Sequence, residues 1–370
     1  MTPIIRFLTG ALFIFSGFIK ANDPMGFGYK LEEYFGVFGI TWLNPAATLL
    51  ATIICIVEMG LGLALLIGWR RMFTLWSLLL MIVFFTFLTF YSAWFNVVTD
   101  CGCFGDFLKL TPWQSFTKDL ILLVFIGWLF FRRDHFLSYW TPDVRNRLVI
   151  AFVALSSIFS AYSWAYLPLI DFRPYAIGKS IPEGMRVPEG AAVDQYEDTW
   201  YYQVDGEVKS YTTDQAPWDL PGAEFVDRKT VLVEKGYTPP VHDFTINDLN
   251  GNDYTDDFLQ AERSLFIVAY DLSKSRNASW ETLKSVLRWA DVHGVKVALL
   301  TAATSEQINR FKADHGEEWP LYITDGTTLK TMIRSNPGLM AIKKGTVVDM
   351  WPARNLPALN DLAAVLDVAP

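Results

Sequence analysis

Glu58-Met59-Gly60-Leu61-Gly62-Leu63-Ala64-Leu65-Leu66-Ile67-Gly68-Trp69-Arg70-Arg71 decides how the first half of the chain is read. The segment closes an apolar run that starts at Pro45, is spaced by glycines, carries one carboxylate in mid-run and ends on two adjacent arginines. An apolar run of roughly 17–25 residues is the length of a membrane-crossing helix. Arginines collect at the ends of such helices that stay on the cytoplasmic side. Working outward, four further runs qualify: Pro3–Ile19, Met72–Phe95, Leu120–Phe131 extended back through Phe116, and Leu148–Ile170. Lys118 and Asp119 stand at the start of the fourth run in chain order. Arg132-Arg133 with Arg145 and Arg147 lie between the fourth and fifth runs, two crossings from Arg70-Arg71 and therefore on the same side. The expected arrangement has five transmembrane helices in an inner membrane, a cytoplasmic N-terminus, and everything after Ile170 in the periplasm.

Composition agrees with a membrane region followed by a soluble one. The chain is 52% hydrophobic and 15% aromatic, with a mean hydropathy of +0.23, and most of its charge lies in the second half. A net charge of -8 argues against nucleic acid as a partner. Arg6 precedes an apolar run with no small-residue cleavage site before Lys20, so the first run reads as a retained span.

Beyond Ile170, residues 171–240 read as a β-rich connecting region, largely irregular, with one hairpin across Asp205-Gly206. From Val241 the pattern is soluble α/β. Phe244–Leu249 with Asn250-Gly251 predicts an opening hairpin, Ser264–Tyr270 and Val295–Thr301 predict strands, and Trp280–His293 and Ser305–His315 predict helices. A final hairpin turns at Lys343-Lys344-Gly345, ahead of a helix over Leu356–Leu366. The domain boundaries expected are 1–135, 136–170, 171–240 and 241–370.

Three residues with chemistry stand out in the membrane half. Cys101 and Cys103 flank a single glycine between the third and fourth runs, on the expected outer side, where thiols are oxidised. A ring closed over one residue is strained, and strained disulfides exchange readily. The alternatives are a structural disulfide, two free thiols in a tight loop, or a metal site; no further ligands accompany the pair, so no metal is expected. Cys55, alone in the second run, reads as a small packing residue. Glu58 sits mid-run, where an ionisable group is costly and faces a partner inside the bundle; Lys20 is the candidate. Gly60, Gly62 and Gly68 allow neighbouring helices to approach closely.

The Glu58–Gly68 segment with Arg70-Arg71, and Ser16–Lys20 followed by Asp23-Pro24, resemble DoxX-family membrane proteins. The string Cys101-Gly102-Cys103-Phe104-Gly105-Asp106 is similar to the related MauE branch, in an arrangement common among Bacteroidetes. The resemblance implies a four-helix membrane core of the kind compared with vitamin K epoxide reductase, a link to disulfide formation in a partner protein, and a quinone as candidate cofactor. Residues 241–370 resemble the thioredoxin fold in its peroxiredoxin and TlpA-like forms. His242–Gly251 resembles its opening, Ser264–Tyr270 the strand before its active site, and Asn336-Pro337-Gly338 its cis-proline loop. Where that family carries cysteines, this chain has Ser273 and Arg276, which cannot form the thiolate that exchange requires.

The fold expected is an α-helical bundle of four helices plus a fifth transmembrane helix, followed by a soluble thioredoxin-like α/β domain. Two functions compete. In the first, Cys101 and Cys103 exchange with the thiols of a periplasmic or inner-membrane protein partner. In the second, the chain is a non-enzymatic assembly or interaction factor presenting an inert thioredoxin-like domain, with a candidate partner cleft at Ser273, Arg276 and Pro337. A transporter using Glu58 ranks last, because no pair of broken helices accompanies it.

Overall fold

The computed structural model describes residues 1–98, 102, 104–133, 140–234 and 236–368. Among them, five helices are long and apolar enough to cross a membrane. They are α1 (Thr2–Asn22), α3 (Ala47–Ile67, entered through a 3-10 turn at Thr41–Ala46), α4 (Arg71–Phe95), α5 (Pro112–Phe131) and α6 (Pro142–Ala165). A shorter helix, α2 (Pro24–Val37), follows α1 directly. It was missed in the sequence, although Asp23-Pro24 carries a start signal. The Asp23 side chain accepts from the Gly26 N–H, and proline occupies the first helical position, where its missing donor is not needed. The fifth long helix also begins six residues before the Leu148 read from hydropathy, because Thr141 caps it and Pro142 opens it. Polar Arg145 and Arg147 sit in its first turns and hide that start.

Helices α1 and α3 make the closest contact, and glycine is the reason. A Cβ on Gly62 would stand 2.7 Å from the Gly10 carbonyl oxygen, and one on Gly17 would strike the Met59 side chain. Small residues at such crossings let the backbones touch, which is how helices associate where no hydrophobic effect separates them from lipid. Inside, Phe13, Leu65, Leu75, Leu78, Ile82 and Ile126 fill the bundle. Outside, Leu80, Val124, Ile150 and Phe131 are largely exposed, an apolar belt that implies a lipid bilayer around it.

The C-terminal region is a five-stranded sheet in the order β6-β5-β4-β7-β8. Its strands are β4 (Ser264–Val268), β5 (Lys296–Thr301), β6 (Leu321–Ile323), β7 (Gly338–Lys343) and β8 (Thr346–Pro352). The first three run parallel, joined through α9 (Trp280–Val292) and α10 (Ser305–His315); β7 and β8 form an antiparallel hairpin beside β4. Helix α11 (Gly326–Met332) leads through a cis Asn336-Pro337 bond into β7, and α12 (Leu359–Val365) closes the chain. This order and connection are those of thioredoxin. Central β4 is buried at every residue, which is why it reads as a continuous apolar run with no alternation. The expected opening hairpin at 244–251 forms only in miniature, closed by a single antiparallel bridge between Asn247 and Asp253 and without regular strands. Asp248 accepts from the Asn250 and Asn252 N–H groups and folds the segment into a turn. Asn247 forms an isolated bridge to Ile323, next to a short helix α8 (Thr255–Leu259).

The chain divides into two compact units, Met1–Lys179 with Phe244–Pro370, and Ser180–Asp243. The bundle and the thioredoxin-like region thus belong to one body. The smaller unit, taken by itself, opens on a one-turn helix α7 (Ile181–Met185) and is a three-stranded antiparallel sheet. Its strands are β1 (Gln195–Val204), β2 (Glu207–Thr212) and β3 (Glu224–Glu234), in the order β2-β1-β3. The Asp205-Gly206 hairpin forms as read. Strand β3 was missed, because Asp227, Arg228 and Lys229 interrupt its apolar pattern. Trp200, Tyr202, Trp218 and Phe225 build its aromatic face.

Candidate functional site at the docked end of the bundle

The thioredoxin-like region sits on the end of the bundle where α1 finishes and α2 begins, and one arginine holds it there. Arg334, just after α11 and buried, donates through Nε to both Asp23 carboxylate oxygens, at 3.0 and 2.9 Å; its Nη2 lies 2.8 Å from Oδ2. The same guanidinium lies 3.5 Å from Asp106 and donates to the Lys330 carbonyl. Burial alone would raise the Asp23 carboxyl. The charge and hydrogen bonds of Arg334, with Arg173, outweigh it and hold the group below its ordinary value. A fork of this kind fixes orientation as well as distance.

Further contacts surround this pair. The Tyr29 hydroxyl donates to the Tyr270 hydroxyl at 3.3 Å, and burial, then Tyr270, pushes Tyr29 upward. Lys330 stands over the Tyr29 ring. Buried Arg173, in the chain leaving α6, binds Asp171 with two nitrogens and reaches the Thr331 and Met332 carbonyls. Asn22 and Ile170 bond reciprocally through the Asn22 side-chain amide, and Phe107 packs its edge on Phe172.

The end of the thioredoxin-like region that meets α2 is the one where a thioredoxin keeps its active site. Tyr270 follows β4, and Arg334 precedes the cis-proline loop. Ser273 and Arg276 are exposed on the intervening loop, while Pro337 is buried. The Ser273 hydroxyl donates to Asp271 at 2.6 Å. The Arg276 N–H donates to the Asn336 carbonyl, and the Asn336 amide returns to Asp271. Asn336 thus stitches the two loops together, bringing Arg276 and Pro337 into one neighbourhood.

Inside the bundle, Lys20 Nζ lies 2.5 Å from Glu58 Oε2, both residues buried, as their expected pairing requires. The Lys20 ammonium also stands 5.0 Å from the centroids of both the Phe27 and Phe85 rings. A second pair, half-buried Lys118 with buried Asp119, lies on α5, and Asp119 also accepts from Thr89 at 3.0 Å. Both pairs border a cavity of about 30 Å³, walled otherwise by Phe13, Tyr34, Leu88 and Phe104. Such a space holds roughly two waters. Lys20, Tyr34 and Thr89 bring polar side chains to its wall.

Cys101 and Cys103 lie outside the described residues. Their described neighbours border this site: Phe104 walls the cavity, Lys118 stands 5.7 Å from its ring, and Gly102 lies against Lys30 of α2. Asp23, Arg334, Tyr29 and Asp119 were not singled out as site residues from the sequence. Asp119 carried a visible signal, a carboxylate beside an apolar run, and Asp23 stood in the Asp23-Pro24 pair that belongs to the DoxX resemblance.

Residues 1–132 match the family described as methylamine utilisation protein MauE. Residues 196–235, within the small sheet, match a family described as a domain of unknown function, DUF8463. The chain is 28% identical over 163 residues to Protein TlpB of Flavobacterium psychrophilum, a stretch covering 43% of this chain and 42% of that protein's length. A crystal structure of a thioredoxin-like protein from Aeropyrum pernix aligns with 34% of this chain and 88% of its own, at 14% identity and a TM-score of 0.28. The strand order and the cis-proline loop carry the fold assignment on their own. With its MauE match over the first 132 residues and a thioredoxin topology behind them, the chain is a MauE-like membrane protein with a thioredoxin-like domain.

Proposed function

We propose that this protein is anchored in the inner membrane and exchanges thiols and disulfides with a periplasmic protein through Cys101 and Cys103. The single observation behind this reading is the Arg334 fork. It sets the thiol-free active-site end of the thioredoxin-like domain on the same end of the bundle as Phe104 and Asp106, which follow the cysteines directly in sequence. In the exchange, a thiolate of one protein attacks a disulfide sulfur of the other and forms a mixed disulfide. The second thiol of the attacking pair then resolves it. Two electrons and two protons leave the dithiol that becomes a disulfide and reach the disulfide that becomes a dithiol, so the step balances between the two proteins. The docked domain, with Ser273 and Arg276 in place of cysteines, takes no electrons.

In intact cells, a Cys103→Ser variant should accumulate a mixed disulfide through Cys101 that identifies the partner. A pair that stays oxidised under all conditions, with both serine variants behaving as wild type, would overturn the exchange. A thiol reagent unable to cross the membrane should label the reduced pair from outside; labelling only after permeabilisation would reverse the topology. The exposed Ser273–Arg276 loop favours a second reading, a non-enzymatic interaction factor. Partners that crosslink equally to wild type and to both cysteine variants would support it.

A further inference from the structure

The opposite end of the bundle is built around arginines of a different kind. There the α3–α4 turn and the start of α6 enclose a space of about 310 Å³ bordered by Arg70, Arg71 and Arg145, with Gly68, Trp69 and Asn146 completing the wall. Three guanidinium groups around one space repel one another; among the described residues Arg71 donates to the Arg133 carbonyl and Arg70 stands over the Trp69 ring, and none of the three meets a carboxylate. Arg145 donates through Nη1 to the Gly68 carbonyl, yet its Nε is out of contact with solvent and has no acceptor among the described residues. A buried donor left in that state is costly. The Trp69 indole N–H is already used, donating to Asn146 at 2.6 Å, so the recognition groups left are cationic.

The backbone adds to the same polarity. Helix α4 begins at Arg71, and its cap residue, Arg70, supplies no side-chain acceptor for the first-turn N–H groups. The positive end of a 25-residue helix therefore points into the arginine cluster. Arg70 is also held at φ +34, a left-handed conformation that a residue with a Cβ rarely adopts. Trp69 and these arginines mark the level at which the apolar helices end, which is where lipid phosphates lie.

We propose that this pocket binds a phosphate anion, supplied by the headgroup of an anionic phospholipid or by free phosphate. The guanidinium forks match phosphate geometry, and one phosphate oxygen supplies the acceptor that Arg145 Nε lacks.

The full chain in detergent micelles is titrated with phosphatidylglycerol, with phosphatidylcholine and with inorganic phosphate, and bound species are counted by native mass spectrometry. Phosphatidylglycerol or inorganic phosphate should bind to wild type in preference to phosphatidylcholine. Its affinity should fall about fivefold in Arg70→Gln and again in Arg145→Gln. Arg147→Gln, an equal loss of charge at an exposed position outside the pocket, should bind as wild type. Binding of phosphatidylglycerol that millimolar phosphate leaves unchanged identifies the headgroup as the source; displacement by phosphate identifies the free ion. Arg70 is exposed with its guanidinium over the Trp69 ring, so its variant reports even where Arg145→Gln fails to fold. Equal losses in Arg147→Gln and Arg70→Gln, or no preference over phosphatidylcholine, would overturn the site.

Discussion

The two ends of the bundle handle arginine in opposite ways. At the docked end, Arg334 and Arg173 are buried, and each is held by both a near neighbour and a distant part of the chain: Arg334 by Lys330 and by Asp23, Arg173 by Asp171 and by the Thr331 and Met332 carbonyls. At the other end, Arg70 and Arg71 are exposed around an open pocket, and Arg145 keeps one donor without an acceptor among the described residues. Charge that is paired internally fixes one arrangement of domains, whereas charge left unpaired is available to a ligand. The same side chain thus serves as a fastening at one end and as a receptor at the other.

Breaking the fastening should have the largest effect. Asp23→Ala leaves Arg334 buried without its main partner and should destabilise the docked state by about 3–5 kcal/mol. Amide exchange of the full chain in nanodiscs would show this as lost protection in α2 and α11. Replacing both partners, Asp23→Leu with Arg334→Met, should restore most of that protection, since no charge is then stranded. If the single variant matches wild type, the pair is no fastening.

Acid should weaken the same contact more gradually. Asp23 is held below its ordinary value of 3.8 in the docked state, so its contribution is complete above that value and is lost as pH falls through the depressed one. Protection of α11 should therefore be flat from about pH 5 to 8 and decline only in stronger acid. A decline near pH 6 would point to another group.

Smaller effects separate local caps from the fastening. Thr111 caps α5 at the docked end in a reciprocal pair with Gln114. Thr111→Ala should cost about 1 kcal/mol in thermal unfolding and leave α11 protected. At the open end, Arg70→Gln should shift lipid-free stability by no more than about 0.5 kcal/mol, because an exposed side chain holding no buried partner contributes little. A large loss there would show that the pocket is a structural joint.

Much of the architecture was legible beforehand, for identifiable reasons. A helix in lipid must be apolar along its whole length, so α3 and α4 announce themselves without any partner. Central β4, buried on both faces, does the same within the soluble half. Glycines at 60, 62 and 68 foretold close packing; two of them meet neighbours on α1 and α6, and Gly68 turns the chain with φ +69. Strand β3 and helix α2 were harder, because their charged and polar positions blur the pattern. The buried fork was not legible at all, since Asp23 and Arg334 stand 311 residues apart and each looks like an ordinary surface residue.

The sequence by itself determined five apolar helices, a thioredoxin-type succession of strands and helices, the absence of thiols at Ser273 and Arg276, and the Lys20–Glu58 pairing. These follow from local periodicity and from the cost of a lone charge in lipid. Only the tertiary structure decided that the thioredoxin-like domain rests its active-site end on the bundle, that Asp119 is buried and accepts from Thr89 of α4, and that three arginines share one pocket. Each depends on which distant groups the fold brings within hydrogen-bonding distance, and pairing between far positions leaves no trace in local pattern.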